Sequence, residues 1–199
     1  MAEQKVSDEL EGWLRGEGPK TIGSLTELFG ERSFAIIFVL LMAIPALPIP
    51  TGGVTHVLEV IVMLTALQLL IARREVWLPE RLKQRELGAA FQGKFVTSLL
   101  KRIRWSERYS RRRWPWLLEH RLSGVAFGAI VIALTAVAFL APPFSGLDTL
   151  PSLGVVVLSL GVLLGDALMA LVGIVIGGLG AFLAIGLGTA VVHFVKGLF

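Results

Sequence analysis

Cysteine is absent from all 199 residues. That absence excludes a disulfide framework, a thiolate nucleophile and a cysteine-ligated cluster, and it leaves the redox compartment undetermined. Histidine is scarce: His56, His120 and His193 are scattered along the chain, and no G-x-S-x-G element accompanies them, so a hydrolase triad has no support. Neither G-x-G-x-x-G nor a G-K-[ST] element is present, so the abundant glycine does not signal a phosphate loop. The first residues also lack the short charged region and apolar stretch of a secretory signal. They carry Glu3, Asp8, Glu9 and Glu11, and no long apolar run starts before residue 33, so no cleaved leader is expected.

Apolar residues make up 54% of the chain and mean hydropathy is +0.74. The excess is concentrated in two blocks, Ser33 to Ala72 and Leu122 to Val195. Each is longer than the about 20 residues that one helical span requires. The reading is an all-α integral membrane protein with about five transmembrane or re-entrant helices. It divides into an interfacial segment 1–32, a first membrane half 33–72, a basic segment 73–121 and a second membrane half 122–199. In 20–32, Ile22, Leu25, Leu28 and Phe29 recur at helical spacing, with Ser24-x-x-Glu27 as a capping box and Gly30 as a stop.

Both blocks are interrupted by helix-breaking chemistry. The stretch 33–47 is short for a full span and runs into Pro45, Pro48, Pro50, Gly52 and Gly53 before the 19 residues Val54 to Ala72. After the span Leu122 to Leu140, Pro142, Pro143, Gly146 and Pro151 repeat the pattern, ahead of expected spans Ser152 to Leu171 and Gly173 to Val195. Proline removes a backbone donor and glycine admits positive φ, so these breaks free backbone groups that survive at membrane depth only when buried in protein or lining a cavity. A shift of 93 residues aligns Phe34 with Phe127, Pro50 with Pro143, Gly53 with Gly146, and Arg73 with Asp166. Interrupted hydrophobic segments at matching positions point to two weakly repeated halves with a transporter-like site between them.

Segment 73–121 holds 14 of the 19 basic residues against five acidic ones, a net +9, and is therefore placed on the cytoplasmic side. Pro79 suits the start of an amphipathic helix in which Leu87, Phe91, Phe95, Leu99 and Ile103 recur every four residues, and this helix is expected on the leaflet surface. Arg108, Arg111, Arg112 and Arg113 beside Trp114 and Trp116 read as a contact for anionic lipid headgroups rather than for nucleic acid, because spans flank them.

Candidate site residues follow from polar groups inside apolar runs. Asp166 stands within the second block, where an isolated carboxylate costs roughly 2.5 to 3.5 kcal/mol at mid-membrane and so calls for a partner. Arg73, Gln68 or backbone amides at a break are the candidates. His56 and Glu59 share a helix face just after the first break; they form a polar pair lining a cavity or capping the break, or Glu59 reaches an interface. A metal would need further donors, and His120 and His193 lie at distant edges of the blocks, so neither metal nor other cofactor is expected. The glycines Gly161, Gly165, Gly173, Gly177, Gly178, Gly180, Gly186 and Gly188 read as small-residue packing seams.

The stretches FGERSFAIIFVLLMAIPALPIP, VWLPERL and PPFSGLDTLPSLGVVVLSLGVLLGD together resemble the ExoD family of bacterial membrane proteins associated with exopolysaccharide synthesis, over roughly residues 20 to 195. Gly146 and Ala167 depart from the family pattern, in which asparagine and glycine often stand. The resemblance implies an inner-membrane protein without catalytic residues, working with lipids, with a second copy of itself or with polysaccharide-synthesis proteins. Two roles are compatible with it: transport or handling of a lipid-linked or anionic substrate or ion through the polar core, and a non-transporting scaffold.

Overall fold

The computed structural model describes residues 5–47, 54–73, 76–77, 79–84, 94–110, 113–114, 118, 120–142 and 145–196. Among them Pro48, Pro50, Gly52, Gly53, Pro143, Arg111 and Arg112 do not appear, so those break and lipid-contact expectations lie outside the described residues. The described chain is helical, without β-strands: α1 (Val6–Arg15), α2 (Ile22–Phe29), a 3₁₀ turn (Gly30–Arg32), α3 (Ser33–Met42), α4 (Val54–Leu70), α5 (Glu80–Lys83), α6 (Lys94–Tyr109), α7 (Arg121–Leu140), α8 (Thr149–Leu164) and α9 (Ala167–Lys196). Two helical stretches, Leu122–Leu140 and Ala167–Leu187, are long and apolar enough to cross a membrane; α3, α4 and α8 are apolar but shorter.

Local chemistry sets most of the boundaries. Thr21 caps α2, its hydroxyl accepting from the Ser24 N–H at 3.1 Å while the Ser24 hydroxyl accepts from the Thr21 N–H at 3.2 Å. The capping box is thus Thr21 with Ser24, and not the expected Ser24 with Glu27, because the helix begins at Ile22. Gly30, at φ 50°, ends it as expected. The second block divides at Gly165-Asp166 and not near residue 172. Gly165 takes φ 68°, a left-handed stop suited to glycine, and its N–H returns to the Val162 carbonyl at 3.2 Å. Pro151 does not break a helix: it is buried in the first turn of α8, where its missing N–H would have had no helical partner.

Helix α3 is apolar all round and occupies the centre, with every residue except Leu41 buried. At 10 residues it is about 15 Å long. Around it, α4 packs chiefly on α7, while α8 packs on α3 and on α9. The α8–α9 hairpin is closed by small residues: Gly154 lies against Gly177, Gly161 against Ala170, Gly173 against Leu158, and Gly180 against Leu150 and Pro151. Gly165 is spent on the turn instead, and Gly178 and Gly186 face open space, so the seam uses only part of the glycine set.

The amino-terminal helices and the basic segment meet at one end of this bundle. Gly23 of α2 abuts Lys83 of α5, and α1 packs on α6. Glu107 of α6 accepts from the Ser7 N–H at 2.8 Å and from the Ser7 hydroxyl at 2.5 Å. Arg104 pairs with Glu11. Leu99 and Ile103 are therefore buried within the protein, along with Val6 and Leu10 of α1, rather than left for a leaflet surface. Trp105 and Tyr109 remain exposed on the other side of α6.

Candidate functional site

The expected site residues separate into two groups at opposite ends of the bundle. Asp166 sits in the α8–α9 turn and not at mid-helix. It is buried, and its Oδ1 accepts from the Leu168 N–H at 3.1 Å and the Met169 N–H at 3.3 Å, capping α9 where the helix dipole favours negative charge. The Ala167 N–H donates to the Arg113 carbonyl at 3.2 Å, which ties this turn to the basic segment. Gln68 and Arg73 serve the turn after α4. The Gln68 amide clasps Trp77, donating to its carbonyl at 3.0 Å and accepting from its N–H at 2.7 Å. Arg73 is exposed, with its guanidinium 5.9 Å from the Trp77 ring centroid, a cation–π contact rather than a place in the bundle interior.

His56 and Glu59 form the second group, and the structure brings them together. Nδ1 of His56 and Oε2 of Glu59 are hydrogen-bonded at 2.9 Å, and the imidazole packs edge-to-face with the Phe139 ring, centroids 5.2 Å apart. Glu59 is fully buried, and its Oε1 has no hydrogen-bond partner among the described residues. Pro45 is buried in the turn after α3, whereas Pro142 is exposed and its carbonyl accepts from the Ser145 hydroxyl at 2.6 Å; Gly146 turns the chain at φ 69°.

Helix register shows what surrounds Glu59. In the antiparallel α4–α7 pair, Gly128 lies against Ala66 and Leu69, and His56 meets Phe139. Counting between those contacts sets Glu59 opposite Thr135. Leu134 packs on Gly177, which in turn lies against Gly154, so Ser152 comes within about one turn of the same depth. Helix α3 starts at the end shared by α2 and α5 and runs alongside α7 with the Phe38 and Phe127 ring centroids 5.6 Å apart, which leaves Met42, its last residue, about one turn short of that level. Glu59, Thr135 and Ser152 thus form a layer at similar depth on three helices, with the end of α3 about one turn away, and all three are fully buried. Each carries an oxygen without a hydrogen-bond partner among the described residues: Glu59 Oε1, Thr135 Oγ1 and Ser152 Oγ.

Such orphaned atoms are uncommon in folded proteins, where about nine in ten buried polar groups are paired. Thr135 and Ser152 escape sequence reading because single hydroxyl residues are ordinary in apolar helices. One signal was available: the 93-residue shift places Ser152 directly on Glu59. Among the described residues no group of three or more His, Cys, Asp and Glu side chains could hold a metal ion.

A family profile described as "Exopolysaccharide synthesis, ExoD" matches residues 6–186. The chain is 30% identical over 178 residues to Protein ExoD of Rhizobium meliloti, covering 84% of this chain and 71% of that protein. It is 26% identical over 174 residues to an uncharacterised protein of Synechocystis sp., covering 86% and 81% respectively. No solved structure matches.

Proposed function

Because the chain belongs to the ExoD exopolysaccharide-synthesis family, we propose that it serves that synthesis from within the bacterial inner membrane, as a non-catalytic multi-pass protein that moves or handles a lipid-linked or anionic substrate, or an ion, through the layer around Glu59. One observation carries the reading: a fully buried carboxylate with an unsatisfied oxygen lies among helices whose outer faces are apolar. Val57, Ile61, Leu64 and Leu67 of α4 and Leu171, Val175, Leu179 and Phe182 of α9 are exposed. A contiguous apolar surface of that kind is a liability in water and a fit to lipid. Ionisable groups inside a lipid-exposed bundle are costly and mark pathways more often than packing.

Five apolar helices then share the membrane, with α3 as a half-length element ending at mid-depth. Two halves are read as a parallel repeat. The 93-residue shift carries α4 onto 147–163, close to the observed α8, and carries α3 into α7. Each half lends its second helix to the first helix of the other, α4 to α7 and α8 to α3. The basic segment faces the cytoplasm, with α1 and α2 on the same side, and Arg108 and Arg113 lie near anionic headgroups.

The test is polysaccharide output in cells that depend on this protein. Glu59→Gln keeps the side-chain shape and removes the charge. Normal protein abundance with output lowered at least about tenfold is expected, the loss for a transition state or binding step weakened by about 1.4 kcal/mol. Normal output with Glu59→Gln, together with lost output when the α8–α9 glycine seam is disrupted, would replace transport by the scaffold role.

A further inference from the structure

Three features of the Glu59 layer share one sign. The carboxylate is the first. The second is the end of α3: because residue 45 is proline, the Leu41 carbonyl lacks its usual helical donor, while the Ala46 N–H donates to the Met42 carbonyl at 3.0 Å. The negative end of the α3 dipole points toward the layer. The third is the pair of hydroxyl oxygens, Thr135 Oγ1 and Ser152 Oγ, both buried and without a partner among the described residues. The hydroxyls could turn to donate to an anion, but the carboxylate and the carbonyl end of α3 would repel it, so among the cargoes proposed above the layer favours a cation. A hard cation would find carboxylate, carbonyl and hydroxyl oxygens together.

We propose that Glu59, Thr135 and Ser152, with the carbonyl end of α3, form a binding site for one Na⁺ ion. Hard oxygen donors select such ions over soft metals. Glu59 is the single carboxylate in the layer, which matches one positive charge, whereas Ca²⁺ sites gather six to eight oxygens and usually several carboxylates. His56 holds Oε2 and so leaves Oε1 to the ion. Carbonyls at the C-terminal ends of interrupted helices are a recurrent means of holding a coupling cation. This proposal rests on reading the Glu59 layer as the working centre of a membrane protein, and it specifies what that centre binds.

The experiment uses the full chain purified in detergent, with thermal unfolding followed in NaCl, KCl and choline chloride at one ionic strength and one pH. A ligand that binds the folded state raises the midpoint with concentration. The expected result is a saturable rise in NaCl that KCl and choline chloride do not reproduce. Glu59→Gln should abolish it, and Thr135→Val and Ser152→Ala should each raise the half-saturating Na⁺ concentration about tenfold, one donor's worth. Equal midpoints in NaCl and choline chloride overturn the proposal, as does an unchanged Na⁺ response in Glu59→Gln. If Glu59→Gln does not fold, Thr135→Val decides, because it exchanges a hydroxyl for a methyl of similar size; an unchanged Na⁺ response in that variant also overturns the site. A midpoint that does not move with Na⁺ but moves with pH in the parent and not in Glu59→Gln assigns proton binding to Glu59 and overturns it too. Loss of polysaccharide output in Glu59→Gln without any Na⁺ effect leaves the transport reading standing and removes only the cation.

Discussion

At the residue scale, two carboxylates of similar sequence appearance have opposite employment. Asp166 has its Oδ1 on two backbone amides at the start of α9, so it stabilises a helix end. Glu59 has one oxygen bonded to His56 and the other orphaned. The consequences differ under mutation. Asp166→Ala should lower stability by about 1 kcal/mol, the usual cost of a lost cap, and Asp166→Asn should stay close to the parent because asparagine caps equally well. Thermal unfolding of the purified variants decides this; a large loss in Asp166→Asn would show that the charge itself matters. Ser7 offers a second case, since both its N–H and its hydroxyl donate to Glu107 from a fully buried position. Glu107→Ala leaves both donors unsatisfied and should cost about 1 to 3 kcal/mol. Faster amide exchange confined to α1 and α6 is the expected signature, and uniform protection would contradict it.

At the element scale, the α8–α9 hairpin depends on backbone contact that only glycine permits. A Cβ at Gly154 or Gly173 would meet backbone atoms of the facing helix at distances no real side chain tolerates. Gly154→Ala and Gly173→Ala should therefore destabilise by about 1 to 3 kcal/mol through overpacking. Gly178 has open space beside it and supplies the control. Gly178→Ala should be neutral or up to about 1 kcal/mol stabilising, as alanine is the better helix former. The yield and midpoint of folded protein in detergent measure all three. If Gly178→Ala proves as damaging as the other two, the seam runs along a different face. The same helices explain the misplaced span boundary: the apolar run continues through 165–173, and hydropathy alone cannot distinguish a glycine that packs from Gly165, which turns the chain.

For the whole molecule, the proposed orientation puts the α1–α2–α5–α6 platform on one side and the 141–148 connection on the other. The natural absence of cysteine makes this directly measurable. A single cysteine in place of exposed Arg108 should be protected from an impermeant thiol reagent added to intact cells, whereas one in place of exposed Ser145 should react. Reversed labelling would invert the topology, and labelling of both would remove the membrane between them. The intertwined packing, with α4 on α7 and α8 on α3, also predicts that the two halves do not fold separately. Residues 1–84 and 85–199 produced together as two chains should stay associated through purification in detergent, and neither should accumulate as folded protein alone.

The helical class, the two apolar blocks, the basic pole between them, the family, and the nearness of His56 to Glu59 are all legible in the amino-acid order. Those follow from composition, from periodicity and from residues three apart on one helix, all of which are local. Tertiary structure decided the rest. The stripe of Leu99 and Ile103 announces a buried face without saying whether lipid or α1 will cover it. The breaker pattern announces interrupted helices but cannot tell Pro151, which begins α8, from Pro45, which ends a helix and frees a carbonyl. Above all, Thr135 and Ser152 carry no signal in isolation. Their depth, level with Glu59, is fixed by contacts between other residues, Gly128 against Ala66 and Gly154 against Gly177. Register between helices is a property of packed surfaces, and only the folded chain contains it.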